Sequence, residues 1–282
     1  MSSQEMVEKS LALAIDEDFG RGDITTKLLI PDSLGGKAHI KVNEEAVLAG
    51  GDLIKLAMLK VDQTSLIEVH FQDGSRVKPG DIIATIKGRV CSILKAERML
   101  LNFLSRLSGV ATETAKYVEK VKGLNVKITD TRKTTPGLRM LEKYAVFVAG
   151  AQVHRPDLSV GILIKDNHLV ALRAKGIGIK DAVIKAKKGA KAGMKVEVEV
   201  SSLEQVKEAV EGMPDIIMLD NMSIEDMKKA KEIIPPNIKI EASGNITLDN
   251  VREVAMVGVD TISIGALTHS ARSIDFSLEF GQ

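Results

Sequence analysis

The sequence has no tryptophan, and aromatic residues make up only 3% of it. Single-stranded nucleic-acid binding depends on aromatic stacking platforms, so that class of function has little to work with. One cysteine, Cys91, excludes a disulfide framework and a cysteine-built metal site. It agrees with a reducing, cytoplasmic compartment. A net charge of +1 gives no global field to draw nucleic acid or a membrane surface. No segment approaches the ~20 apolar residues of a membrane span, and the N-terminus lacks the apolar core of a signal peptide. No Walker loop occurs anywhere. What is left is a globular composition, 44% hydrophobic and 27% charged over 282 residues. That length suits one large domain or two smaller ones. Any anion binding must come from a local cluster.

Such a cluster lies between Asp130 and His168. Two short β-branched runs, Val126-Lys127-Ile128 and Ile162-Leu163-Ile164, read as buried strands. Cations follow each: Arg132 and Lys133 after the first, Lys165 after the second, with His154 and Arg155 between. Charge set directly after a buried strand is either a satisfied ion network or a site. Five cationic groups in one segment favour a site for an anionic ligand.

The first ninety residues read as mixed α and antiparallel β. A helix is expected over 3–17, then an acidic, glycine-containing turn from Asp16 to Thr26 with a helix cap. Strands are expected over 37–49, 66–71 and 82–86, with a helix over 52–59. Residues 93–104 and 111–122 are expected as two helices punctuated by Ser108-Gly109. From residue 125 strand-like runs (126–131, 162–165, 196–200, 216–219, 238–242, 261–264) alternate with helix-like runs (138–148, 179–188, 203–210, 224–233, 248–256). Repeated βα units imply a parallel sheet. Every strand delivers polar or glycine residues at its C-terminal end, which is how a βα barrel builds an active site. A nucleotide-binding crevice would instead concentrate its signal at the first βα turn, where no Gly-x-Gly-x-x-Gly occurs.

Glu199 and Asp220, on successive strands, suit a divalent metal held directly or through water, or sugar hydroxyls; alternatively they only neutralise Lys133 and Lys165. The turns Ser243-Gly244-Asn245 and Gly265-Ala266 suit phosphate. Arg132, Arg155 and Arg98 suit carboxylates, because guanidinium binds them bidentately.

These residues resemble a known family. Asp130-Thr131-Arg132-Lys133-Thr134-Thr135-Pro136-Gly137-Leu138-Arg139, Glu142-Lys143-Tyr144, His154-Arg155 and Leu163-Ile164-Lys165-Asp166-Asn167-His168 are similar to motifs of quinolinate phosphoribosyltransferase. The likeness continues through Ala96-Glu97-Arg98, Glu197-Val198-Glu199, Leu219-Asp220-Asn221, Ser243-Gly244 and Gly265-Ala266. It implies an α/β fold: an N-terminal α/β sandwich domain over 1–110 and an incomplete parallel α/β barrel over 111–269, with a C-terminal helix over 270–282 packing back on the first domain. It implies transfer of phosphoribosyl from 5-phosphoribosyl 1-pyrophosphate to quinolinate with decarboxylation, in the presence of Mg²⁺. By matching position, Arg98, Arg132, His154, Arg155 and Lys165 would bind the substrate. Lys133, Lys165, Glu199 and Asp220 would be catalytic, the two acids at metal or ribose. Ser243, Gly244, Asn245, Gly265 and Ala266 would take the 5-phosphate. A homodimer is implied, up to a hexamer, with Arg98 lent to the partner's site; no nucleic acid or membrane partner is.

The loop between the strongest motifs departs from the family pattern, which has arginine where Phe147 stands and asparagine where Val153 stands. It also has a glycine run across Ala149-Gly150-Ala151, glycine at Asp157 and an acid at Val160. Three competing readings follow. One is a related phosphoribosyltransferase-like protein of the molybdate-transport-associated type, with another acceptor. Another is a non-catalytic anion-binding barrel. The last is an aldolase-type barrel using Lys165 as a Schiff base.

Overall fold

The structure is a computed structural model and describes residues 3–281. Elements run in chain order as α1 (Ser3–Phe19), α2 (Ile24–Leu29), β1 (Gly35–Val42), β2 (Ala46–Val47), α3 (Gly51–Val61), β3 (Leu66–Val69), β4 (Arg76–Val77), β5 (Ile82–Arg89) and α4 (Val90–Lys120). The alternating half follows: β6 (Lys127–Thr129), α5 (Arg139–Val148), β7 (Ile162–Ile164), α6 (Asp166–Arg173), α7 (Ile179–Gly189), β8 (Val196–Val200) and α8 (Leu203–Gly212). It closes with β9 (Ile216–Asp220), α9 (Ile224–Ile233), β10 (Lys239–Ser243), α10 (Val251–Met256), β11 (Thr261–Ser263), α11 (Ala266–His269) and β12 (Phe276–Phe280). Among the described residues no helix is long and apolar enough to cross a membrane.

Two compact units form. The first takes the chain through Ala115, then Thr134–Gly150, then everything from Ala266 onward; the second takes Lys116–Lys133 and Ala151–Gly265. By packing, 134–150 and the segment from Ala266 join the first unit, across the expected division near residue 110. A buried clamp supplies the physical reason. Glu142, at 0% exposure, accepts from Arg106 Nε at 2.9 Å, from the Thr135 N–H at 3.0 Å and from Thr135 Oγ1 at 2.7 Å. Arg106 also donates to the carbonyls of Ala271, at 2.8 Å, and Thr268. A carboxylate held this way out of water keeps 134–150 with α4 and with the turn after α11.

In the first unit a four-stranded antiparallel sheet runs β12-β1-β5-β3. Ala38, Ile40 and Val42 of β1 are fully buried at every second position, the period of a strand with one covered face. The C-terminal helix expected over 270–282 is overturned. Phe276-Ser277-Leu278-Glu279-Phe280 alternates apolar and polar, and it pairs with β1 in the register Val42↔Phe276 to Ala38↔Phe280. Gln282 lies outside the described residues. Asp23 caps α2, its Oδ1 accepting the Thr26 N–H at 2.9 Å, as the turn-and-cap reading expects.

The two helices expected over 93–104 and 111–122 are one 31-residue helix, α4. Gly109 does not break it. A Cβ there would lie 2.0 Å from the Arg272 carbonyl oxygen, so glycine serves close backbone approach. Ser108 and Thr112 beside it accept the Ala49 and Val47 N–H groups, at 3.1 Å and 2.8 Å.

The second unit is a six-stranded all-parallel sheet in the order β6-β11-β10-β9-β8-β7. No β6–β7 pairing closes it among the described residues, so the barrel is incomplete. Gln152 extends the β6 edge, its N–H donating to the Ile128 carbonyl at 2.8 Å. Val196, Val198 and Val200 of β8, Ile217 of β9, Ile240 of β10 and Ile262 of β11 are buried and branched, as expected with both faces covered. α6 was not anticipated, because the charged motif at 165–168 hides its helical start.

Gly109→Ala decides between two effects. Helix propensity alone would gain about 1 kcal/mol, whereas forced overpacking costs about 1–3 kcal/mol. A 2.0 Å approach to backbone leaves little room to relax, so net destabilisation is expected. Denaturant unfolding measures it, and a stabilised variant would refute the packing role.

Candidate active site

Parallel register carries the chemistry to one end of the second unit. Glu199 lies level with Met218, Asp220 with Ser243, and Ser243 with Ser263. Since side chains alternate at period two, Glu197, Glu199, Met218, Asp220, Glu241, Ser243 and Ser263 share one face. A cavity of about 430 Å³ opens there. Its lining includes Arg132, Lys133, His154, Arg155, Lys165, Glu199, Asp220, Ser243, Gly244 and Asn245, ten of the residues singled out from the sequence. Gly265 and Ala266 do not line it. Arg98 is exposed on α4, within the first unit.

The turn after β10 requires glycine. Gly244 has φ +82°, and a Cβ there would meet Asn221 Oδ1 at 2.3 Å and Asn221 N at 2.9 Å. Only glycine fits. Asn221 and Asn245 also take left-handed backbone, at φ 55° and 53°, which asparagine tolerates better than most residues. The Asn221 N–H donates to the Ser243 carbonyl at 2.9 Å, locking the two turns together.

The acids form two tiers. In the upper tier Lys165 Nζ stands 3.9 Å from Glu199 Oε2, and Asp220 Oδ2 accepts from Asn221 Nδ2 at 2.6 Å. Burial first, then the Asp220 charge, raises the Glu199 carboxyl above its ordinary value, against the pull of Lys165. Two hard oxygen donors whose charges repel would be relieved by a divalent cation, so the donor set fits Mg²⁺.

The lower tier was not read from the sequence as a site. His154 Nε2 lies 3.7 Å from both Glu197 Oε2 and Glu241 Oε1. Both acids are nearly fully buried, at 6% and 4% exposure. The ligand atoms of the three lie within 4.8 Å of one another, a metal-like grouping. Two guanidinium groups argue against a cation there: burial and the Arg132 charge lower the Arg155 pKa, and Glu197 opposes them. Glu241 lies two residues before Ser243 in a strand that alternates polar and apolar, so nothing in the sequence sets it apart. Asp130 is also buried at 0%, its Oδ1 accepting the His154 N–H at 2.7 Å.

The departures in the 147–160 loop fall outside the main cavity. Phe147 is exposed, within the first unit. Val153 and Val160 line a smaller cavity of about 240 Å³, beside Ile162, Lys195, Ile216 and Thr261 at the strand starts.

An open parallel barrel with a cation-lined cavity at its strand ends is the class of protein these features define. Comparison with known proteins narrows it. Residues 23–108 match the quinolinate phosphoribosyl transferase N-terminal domain, and residues 110–279 match its C-terminal domain. The chain is 41% identical over 280 residues to a probable nicotinate-nucleotide pyrophosphorylase [carboxylating] of Methanocaldococcus jannaschii, covering 96% of each. It is 40% identical over 263 residues to the probable enzyme of the same name from Bacillus subtilis, covering 93% of this chain and 89% of that one. The crystal structure of NadC from Streptococcus pyogenes superposes with a TM-score of 0.92 at 38% identity, over 100% of this chain and 99% of that one. The chain belongs to the quinolinate phosphoribosyltransferase family.

A carboxyl raised in the folded state favours folding below its unfolded pKa and loses that contribution as pH rises through its folded value. Metal-free Glu199→Gln should therefore resist urea better than wild type at about pH 8, and the gap should close near pH 4. An equal offset at both pH values would refute the raised Glu199 carboxyl.

Proposed function

We propose that this chain transfers the phosphoribosyl group of 5-phosphoribosyl 1-pyrophosphate to quinolinate, giving nicotinate mononucleotide, pyrophosphate and CO2. The observation that carries the reading is one cavity holding five cationic side chains, two strand-end acids and a glycine turn. Quinolinate is a dianion, and Arg132, His154, Arg155 and Lys165 supply the matching charge. Arg132 and Arg155 suit its carboxylates as planar forks, and the lysines act as point charges. The Ser243-Gly244-Asn245 turn takes the 5-phosphate with backbone N–H groups.

In the reaction the pyridine nitrogen bonds to ribose C1 as the C1–pyrophosphate bond breaks. Positive charge builds on the sugar and negative charge on the leaving group. Glu199 and Asp220 beside the ribose, with Lys133 and Lys165 at the pyrophosphate, stabilise that change through fixed electrostatics. Mg²⁺, held by Glu199 and Asp220 directly or through water, would add positive charge for the leaving pyrophosphate. The 2-carboxylate then leaves as CO2, its electron pair stays on ring C2, and C2 takes up a proton.

A homodimer is the proposed unit, up to a hexamer, with Arg98 completing the partner's site. Its exposure on α4 supports that role. The proposed compartment is the cytoplasm, and the free thiol of Cys91 fits a reducing environment.

Product analysis with quinolinate against nicotinate as acceptor tests the activity, and no nicotinate mononucleotide from quinolinate would overturn it. Arg132→Ala and Lys165→Ala should each cut kcat/KM by about 10³ or more, since each removes a fixed charge aimed at the reacting groups. Mixed dimers of Arg98→Ala with Lys165→Ala subunits should recover activity that neither variant has alone. No recovery would count against shared sites.

A further inference from the structure

Beneath the anion cavity the structure holds two buried acids, Glu197 and Glu241, that the substrate contacts proposed above do not use. His154 and Glu241 line both the strand-end cavity and the smaller cavity at the strand starts, so they form the floor between the two. Glu197 lines the smaller one. The imidazole Nε2 is equidistant, at 3.7 Å, from carboxylates on β8 and β10. At that separation the contacts are charge interactions rather than hydrogen bonds.

The charges around His154 oppose each other. Arg155 is its chain neighbour, and Arg132 follows β6; both disfavour a proton on the ring. Lys133 and Lys165 line the same cavity and act in the same direction. Glu197 from β8 and Glu241 from β10 favour the proton, and Asp130 at the end of β6 holds the His154 backbone N–H. The two carboxylates approach the ring itself, at 3.7 Å, in a site of low dielectric where charge at that range acts strongly.

We propose that Glu241 is a positioning residue for the reaction, holding His154 as an imidazolium so that the cavity floor presents a fixed positive charge to a dianionic substrate. The proposal rests on the quinolinate reading above. Glu241 itself changes charge in the working range: burial, then the Glu197 charge, pushes its carboxyl up to about 7, against the pull of His154. Below that pH Glu241 is neutral and a glutamine mimics it; above it, the carboxylate holds the ring proton. The influence of Glu241 therefore belongs to the alkaline side.

The test is the pH profile of Glu241→Gln. At about pH 8 its KM for quinolinate should rise roughly tenfold, with kcat and the KM for 5-phosphoribosyl 1-pyrophosphate nearly unchanged. At pH 6 it should match wild type. The alkaline limb of kcat/KM should move down by about one pH unit, and Glu241→Asp should restore it. A pH-independent loss shared by kcat and KM would mean a merely structural role and overturn the proposal. A second measurement is made on the wild type: an NMR titration of its five histidines, with His154 assigned by its absence in His154→Gln. Its ring should titrate above the ordinary value of about 6.5, and a value at or below that overturns the proposal. If wild type gives no turnover with quinolinate, the functional reading fails, and the titration alone still decides the charge on His154.

Discussion

Like charges repel, and this protein gathers five cationic side chains around one cavity. Arg132, Lys133, His154, Arg155 and Lys165 stay together because acids are supplied in the same place. Glu197, Glu199, Asp220 and Glu241 come from three adjacent parallel strands, and strand register sets them on one inner face. The result is a layered charge pattern: acids near the floor, cations at the mouth and more acids beside them. Neither sign is spent on the other completely. Arg155 Nε and Glu197 Oε1 are buried without a hydrogen-bond partner in the protein. A site whose charges were fully matched internally would have less to offer a charged ligand.

The scaffold keeps this pattern rigid by backbone means. Asp130, just past β6, holds the His154 N–H and continues the attachment that Gln152 makes to the β6 edge. Asn221 and Gly244 interlock two adjacent turns so tightly that one side-chain carbon would not fit. In the first unit the Glu142–Arg106 clamp fixes Thr135. These are neutral or charge-assisted hydrogen bonds at buried positions, where removing one partner costs more than forming the bond gained.

Much of the site was legible because its members sit directly after buried strands, where charge is costly and therefore informative. Arg132, Lys133, Lys165, Glu199, Asp220 and the Ser243-Gly244-Asn245 turn were all found that way. Glu241 was not, since an acid inside a strand reads as an ordinary alternating polar residue until its neighbours are known. Gly109 misled for a related reason: glycine in an apolar helical run signals a break unless something presses against it. The resemblance implies a terminal helix, although Phe276 to Phe280 alternates as a strand should.

By itself the sequence determined the βα alternation, the parallel sheet and the cationic segment, because period-two and helical patterning are local properties. It also marked the altered loop around Val153 and Val160. Tertiary structure alone decided where those positions face, which acids meet His154, and which unit holds 134–150. Such facts depend on register between strands far apart in the chain, and register is set by pairing and packing that no local pattern records.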